Sequence, residues 1–266
     1  MAKVRISLSL DDALMKAFDA QHGEGTRSEA FEALMKRSVG ARQTAVILAG
    51  GPAEGLWSAD AKTYRPLIPI KGRPLLAHTL ERLREAGFSD IIIMGSRKVN
   101  AAIFAEFENG ASSGVNIRYV EEKKHEGSAN TFALAKPYIS GSFLFVPCDH
   151  YFDFSLPTIQ KFHSRQENPA TLAVYYGTGF EWTKSSLVTV DGSLITKYWE
   201  KPGKPESHLI ATMTGFAEPE IFSLIEPRGS LDAQFAKLSR NGKLSGCLVS
   251  GNFANIHSKK DAELVR

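Results

Sequence analysis

Cysteine is nearly absent: Cys148 and Cys247 are the only two in 266 residues, too few for a disulfide framework and without metal-ligand spacing. That usage fits a reducing interior. Long hydrophobic runs are missing too. No stretch approaches the roughly 18 apolar residues that cross a bilayer, and the amino-terminal segment lacks the apolar core of a secretory leader, so a cytoplasmic location is expected. Nor does one sign of charge dominate. The 32 Lys and Arg against 29 Asp and Glu leave a net +3, so any nucleic-acid contact must come from a local patch and not from bulk basicity. What the chain does have is 43% hydrophobic content, enough for one sizeable core with about 40 residues left over for a small extra module.

The stretch Ala45 to Leu76 organises the rest. Ala45 to Leu48 is a short apolar run that breaks into Ala49, Gly50 and Gly51, and glycines directly after a strand let backbone N–H groups approach a phosphate closely. By itself such a pair is as much a turn as a binding loop. Next come Arg65-Pro66-Leu67-Ile68-Pro69-Ile70 and Gly72-Arg73-Pro74, a turn-rich piece opening a helix near His78 to Glu85. Ile91 to Met94 reads as a buried parallel strand, Asn100 to Phe107 as a helix and Asn116 to Val120 as a strand. Glu126-Gly127-Ser128-Ala129-Asn130 leads into a helix from Thr131 to Lys136. Phe143 to Val146 is a further buried strand, and Leu187 to Ile195 is a hairpin with an Asp191-Gly192 turn. Strands and helices alternating at these lengths imply right-handed β-α-β crossovers, with ligands at the carboxyl ends of the strands. Asp149 follows the Phe143 strand directly, where a carboxylate suits a Mg2+ ion shared with substrate oxygens; a structural capping role is the alternative.

From Leu48 to Pro74 the block resembles, without a gap, the signature of the sugar-1-phosphate nucleotidyltransferases, Leu-Ala-Gly-Gly-x-Gly-Thr-Arg followed by Pro-Lys-Pro-Leu-Leu-Pro-Val and Gly-Lys-Pro. The resemblance implies an α/β fold, a Rossmann-like, doubly wound, GT-A-like domain. It implies a nucleotide held by Leu48, Ala49, Gly50, Gly51, Gly127 and Ser128, with Arg65 and Asp149 at the reacting phosphates. Glu200-Lys201-Pro202 is similar to the family's Glu-Lys-Pro, whose acid binds sugar hydroxyls and whose lysine approaches the sugar phosphate. Asp149 and Asn255 stand where the family holds its metal, expected to be Mg2+. Several positions depart from the pattern. Ala53, Glu54 and Gly55 replace Gly-Thr-Arg, Tyr64-Arg65 replaces Pro-Lys, Ala211-Thr212-Met213 replaces Asn-Ala-Gly, and Asn255 replaces a metal-binding aspartate. An amide oxygen brings no charge to a hard cation, and each lost electrostatic partner costs about a hundredfold in rate. The expectation is therefore a domain that binds a nucleotide, sugar phosphate or nucleotide sugar with catalysis weakened or lost. The alternative is a working Mg2+-dependent enzyme.

The first forty residues read as a separate module. Lys3 to Leu10 alternates, with Val4, Ile6, Leu8 and Leu10 on one face and Lys3, Arg5, Ser7 and Ser9 on the other. Asp11 caps a helix containing Leu14, Met15 and Phe18, and Thr26-Arg27-Ser28-Glu29 is a capping box that opens a second helix. One strand and two helices cannot bury a core alone. From about Lys3 to Lys36 this arrangement resembles the ribbon-helix-helix transcription factors, which pair strands from two chains and insert the ribbon into the DNA major groove. The resemblance implies a homodimer in which Lys3, Arg5, Ser7 and Ser9 face DNA while Thr26, Arg27 and Ser28 hold a phosphate. The alternative is a module that only dimerises. The expected organisation is thus a ribbon-helix-helix module over 1–38, a linker over 39–43 and a nucleotidyltransferase-like domain over 44–266, together forming a DNA-binding regulator.

Overall fold

The computed structural model describes residues 7, 9–21, 26–31, 43–177, 185–204 and 206–265. The chain divides into two compact units, Met1–Arg42 and Gln43–Arg266.

In the larger unit the strands run, in chain order, β1 Gln43–Ala49, β2 Trp57–Ser58, β3 Thr63–Tyr64, β4 Pro69–Ile70, β5 Arg73–Pro74, β6 Phe88–Gly95, β7 Asn116–Glu121, β8 Phe143–Pro147, β9 His150–Phe152, β10 Ala170–Tyr176, β11 Ser186–Asp191, β12 Leu194–Glu200, β13 Leu209–Ala217, β14 Leu244–Val249 and β15 Phe253–Asn255. Nine of them form one sheet in the order β10-β14-β12-β11-β13-β8-β1-β6-β7. Strands β7, β6, β1 and β8 are parallel neighbours. The centres of β6, β1 and β8 are uninterrupted apolar runs because both faces are covered, whereas the edge strand β7 carries exposed Arg118 at its centre. Ala45, Ile47, Ile91 and Ile93 pack towards helices Leu75–Glu85 and Arg97–Phe107. Val46, Ile92, Phe143 and Phe145 pack the other way, towards helices Ser128–Ala133 and Leu231–Arg240. On that second face Phe132, Phe143, Phe145 and Phe235 form a run of rings, each worth about 1.5–3 kcal/mol of burial.

The chain leaves β1 for β6 and β7 on one side and returns to β8 on the other, so the carboxyl ends of β1 and β8 flank a topological switch point. Beyond β8 antiparallel strands join the sheet, the hairpin expected at Asp191-Gly192 among them. Strand β13 runs antiparallel to β8, and the β11–β12 hairpin is antiparallel across its Asp191-Gly192 turn. A connection that short leaves no length for a parallel crossover. Three helices also start about three residues before their expected positions, at Leu75, Arg97 and Ser128. Apolar periodicity reports where a helix is packed, and a first turn need not be.

In the smaller unit helix Asp12–Gln21 is capped by Asp11 Oδ1, which accepts from the N–H groups of Ala13 and Leu14 at 2.9 and 3.2 Å. Residues 27–31 are helical. The Thr26–Glu29 capping box is reciprocal: Thr26 N–H donates to Glu29 Oε2 at 2.9 Å and Glu29 N–H to Thr26 Oγ1 at 3.3 Å. Phe18 stacks on Phe31 at 4.6 Å. Lys3, Arg5 and most of the expected linker lie outside the described residues. Ser7 and Ser9 are exposed; the rest of the polar face of the strand expected over residues 3–10, which needs a second chain to form its ladder, lies outside the described residues. Among the described residues no helix is long and apolar enough to cross a membrane.

Candidate active site

The two strand ends at the switch point are pinned together by a hydrogen bond from Cys148 N–H to Leu48 O at 3.0 Å. Asp149 comes next and gathers polar groups from distant segments. Arg65 opens a tight turn, Arg65–Leu67, and its Nη1 donates to Asp149 Oδ2 at 3.0 Å with both side chains largely buried. His257 Nε2 lies 3.4 Å from the same oxygen. Strand β15 pairs Asn255 with His150, and Ile256 N–H donates to Asp149 O at 2.8 Å, so Asn255 and His257 are fixed beside the acid. Burial pushes the Asp149 carboxyl up, but the His257 hydrogen bond and the positive fields of His150, His257 and Arg65 more than offset it. The group is held well below the usual carboxylate range.

Three atoms in this cluster are unsatisfied, His150 Nδ1 among them. Asn255 Oδ1 and Arg65 Nε are buried without a hydrogen-bond partner among the described residues. A buried amide oxygen with no donor is costly unless something else supplies positive charge. Asp149 and Asn255 thus offer oxygen ligands that suit a divalent cation, with one negative charge fewer than two acids would give. Among the described residues no three His, Cys, Asp or Glu side chains form a metal-binding group.

The glycine loop is held by an acid the sequence did not single out. Glu122 is buried; its Oε2 accepts from Gly51 N–H at 2.7 Å and its Oε1 from Thr131 Oγ1 at 2.5 Å, with His125 Nδ1 3.1 Å away. Gly50 must be glycine, since a Cβ there would lie 2.1 Å from Thr131 Oγ1. Gly127, at φ +109°, is equally constrained: its Cβ would meet Gly229 O at 2.1 Å. Gly229 N–H donates to Glu126 O at 2.7 Å, and Leu231 N–H donates to Ser128 Oγ at 2.8 Å. Ser128 therefore holds the first residue of the helix Leu231–Arg240, whose N-cap is Ser230. There Ser230 Oγ donates to Glu200 Oε1 at 3.1 Å. Lys201 is exposed, at φ +43°. Asp232 Oδ1 accepts from Tyr198 at 2.6 Å and from Ser186 at 2.5 Å. Burial, then the Asp232 charge, push the Tyr198 phenol well above its ordinary value.

The structure therefore brings Arg65, Asp149 and Asn255 together, joins Gly127 and Ser128 to the Glu200 side, and keeps Leu48 to Gly51 at the end of β1. The nucleotidyl transferase family profile matches residues 44–238. This chain belongs to that family. Its relatives include a UTP–glucose-1-phosphate uridylyltransferase of Haloferax volcanii, 27% identical over 69% of this chain and 76% of the relative. A glucose-1-phosphate thymidylyltransferase of Xanthomonas campestris is 25% identical over 70% of this chain and 65% of its own length. The bifunctional protein GlmU of Methanocaldococcus jannaschii is 26% identical over 80% of this chain, which spans 50% of that protein. The fold matches a solved structure from Bacillus anthracis with a TM-score of 0.71 at 19% identity, covering 83% of this chain and 92% of that one. Within the nucleotidyl transferase family, Glu122, His257 and Asp232 are features of this chain that its motifs did not announce.

Proposed function

We propose that the chain transfers a nucleotidyl group from a nucleoside triphosphate to a sugar-phosphate type of acceptor. An acceptor phosphate oxygen forms a bond to the α-phosphorus, the bond from that phosphorus to the β-bridging oxygen breaks, and pyrophosphate leaves. The observation that supports this best is the buried convergence of Arg65, Asp149 and the unpartnered Asn255 amide at the switch point, opposite the glycine loop. Arg65 neutralises phosphate charge in a water-poor cleft, where a preorganised cation acts most strongly. Gly50 and Gly51 keep the loop thin enough for close approach, and Glu200 with Lys201 supplies a hydroxyl acceptor and a phosphate-seeking cation. A Mg2+ ion, if bound by Asp149 and Asn255, would supply further charge neutralisation. The test is pyrophosphate release from the full chain with Mg2+, a panel of triphosphates and a panel of phosphorylated acceptors. Turnover is expected, falling at least a hundredfold in Asp149→Asn. No release above blank for any pair counts against the reaction.

A second reading keeps the same ligand site, with catalysis weakened or lost, in a homodimeric DNA-binding regulator. It is favoured by the separate amino-terminal unit, whose capped helices and exposed Ser7, Ser9, Thr26 and Ser28 suit a ribbon-helix-helix module. Arg27 is partly committed elsewhere, since its Nε donates to Asp19 Oδ1 at 2.9 Å. The enzymatic relatives favour the first reading.

A further inference from the structure

The segment after β15 sets an imidazole beside Asp149, and its backbone is held in place before any ligand arrives. Ile256 is buried in the apolar cluster of Ile68 and Ile70, and its N–H donates to Asp149 O at 2.8 Å. His257 N–H donates to Asp261 Oδ2 at 3.0 Å, and Lys259 N–H to Asp60 Oδ2 at 2.8 Å, which ties this segment to the loop leading to Arg65. Asn255 and His257 flank Ile256, and alternation along an extended chain turns both to the side opposite it. His257 Nε2 lies 3.4 Å from Asp149 Oδ2, and the buried Asn255 Oδ1 has no donor among the described residues. Two lengths decide what the space between His257 and Asp149 suits. A charge-assisted N–H···O bond measures about 2.7–2.9 Å, well short of that separation. Neighbouring ligand atoms on a tetrahedral ion with bonds of about 2.1 Å stand roughly 3.4 Å apart. Arg65 Nη1 takes one lone pair of the same carboxylate oxygen, and the other remains for an ion.

We propose that His257 joins Asp149 and Asn255 as a metal ligand, so that one imidazole, one carboxylate and one amide select a borderline divalent ion of the Zn2+ and Co2+ kind over Mg2+. Imidazole nitrogen suits such ions, whereas Mg2+ keeps to oxygen ligands in near-ideal octahedral geometry. The amide adds no charge, which removes the advantage that a second acid gives a hard cation. Three protein ligands leave a position open for a substrate oxygen. The ion's part in phosphate chemistry rests on the nucleotidyl-transfer reading; its binding does not.

The test titrates the full chain, stripped of metal and free of any histidine tag, with Co2+ and with Mg2+ by calorimetry, and records the visible absorption of the Co2+ form. His257→Ala and His257→Gln are treated alike, with melting curves to show that they fold. The wild type is expected to bind one Co2+ tightly, with the intense visible bands of a four-coordinate ion. Both variants should lose those bands and roughly 10- to 100-fold in Co2+ affinity, with Mg2+ affinity unchanged within about twofold. Weak, octahedral-type bands in the wild type overturn the proposal whether or not the variants fold, and so does Co2+ affinity that ignores both substitutions. Pyrophosphate release is scored separately. Co2+ binding that depends on His257 without turnover defeats the reaction and leaves the metal site standing, whereas turnover with Mg2+ in a chain whose Co2+ binding ignores His257 does the reverse.

Discussion

His150 carries a cost that depends on pH. Its ring is buried edge-on against Phe253 at 5.2 Å, and its Nδ1 has no partner among the described residues. Burial lowers the imidazole to about 4, with the Asp149 charge opposing. In the unfolded chain it titrates near 6.5, so between these values the unfolded state holds the proton and the native state does not. Stability therefore falls as pH drops from about 6.5 to about 4 and levels off below, a loss on the order of 3 kcal/mol from this group. Asp149 acts lower: its depressed carboxyl contributes stability above about pH 3.9 that is lost on further acidification. The two windows separate. Melting temperatures measured from pH 7 to pH 4 should fall less in His150→Phe than in the wild type, and parallel curves would show that His150 is not a base kept neutral by burial.

At the scale of elements, the two glycine loops are constrained differently, and substitution should show it. Gly51 has φ +108° and open space, with nothing within 4 Å, where a Cβ would go, so Gly51→Ala meets backbone strain alone, about 1 kcal/mol. Gly127→Ala adds a collision with the Gly229 carbonyl and should cost at least about 2 kcal/mol more, read as a larger drop in denaturant midpoint together with weaker triphosphate binding. Equal losses would mean that the Gly127–Gly229 junction yields easily. These loops also show what a sequence can and cannot reveal. Leu48 to Gly51, the apolar strands and Asp149 at the end of β8 were legible because neighbours in sequence carry the pattern. Glu122, His257 and Asp232 were not, because each takes its meaning from partners far along the chain. Gly51 lies 71 residues from Glu122, and Tyr198 lies 34 from Asp232. The reversal of β13 was equally hidden, since an apolar run looks the same in either direction.

For the whole molecule, the division at Arg42 and Gln43 separates two questions that one chain poses together. The unit Gln43–Arg266 has its own two-sided core and contains every residue of the candidate active site. A chain beginning at Gln43 should therefore unfold cooperatively and retain triphosphate binding within about threefold of the full chain, by calorimetry. Any DNA affinity should vanish from that shortened chain. In the full chain it should weaken on Arg5→Ala and fall with salt in a gel shift. DNA binding that survives the truncation would move the interaction to the larger unit.

The knot between Gly127 and Gly229 makes one hinge of two thresholds. Ser128 also holds the first N–H of the helix bearing Asp232, so on the nucleotidyl-transfer reading the two substrates would enter past one common post, and a shift at either side would be passed to the other.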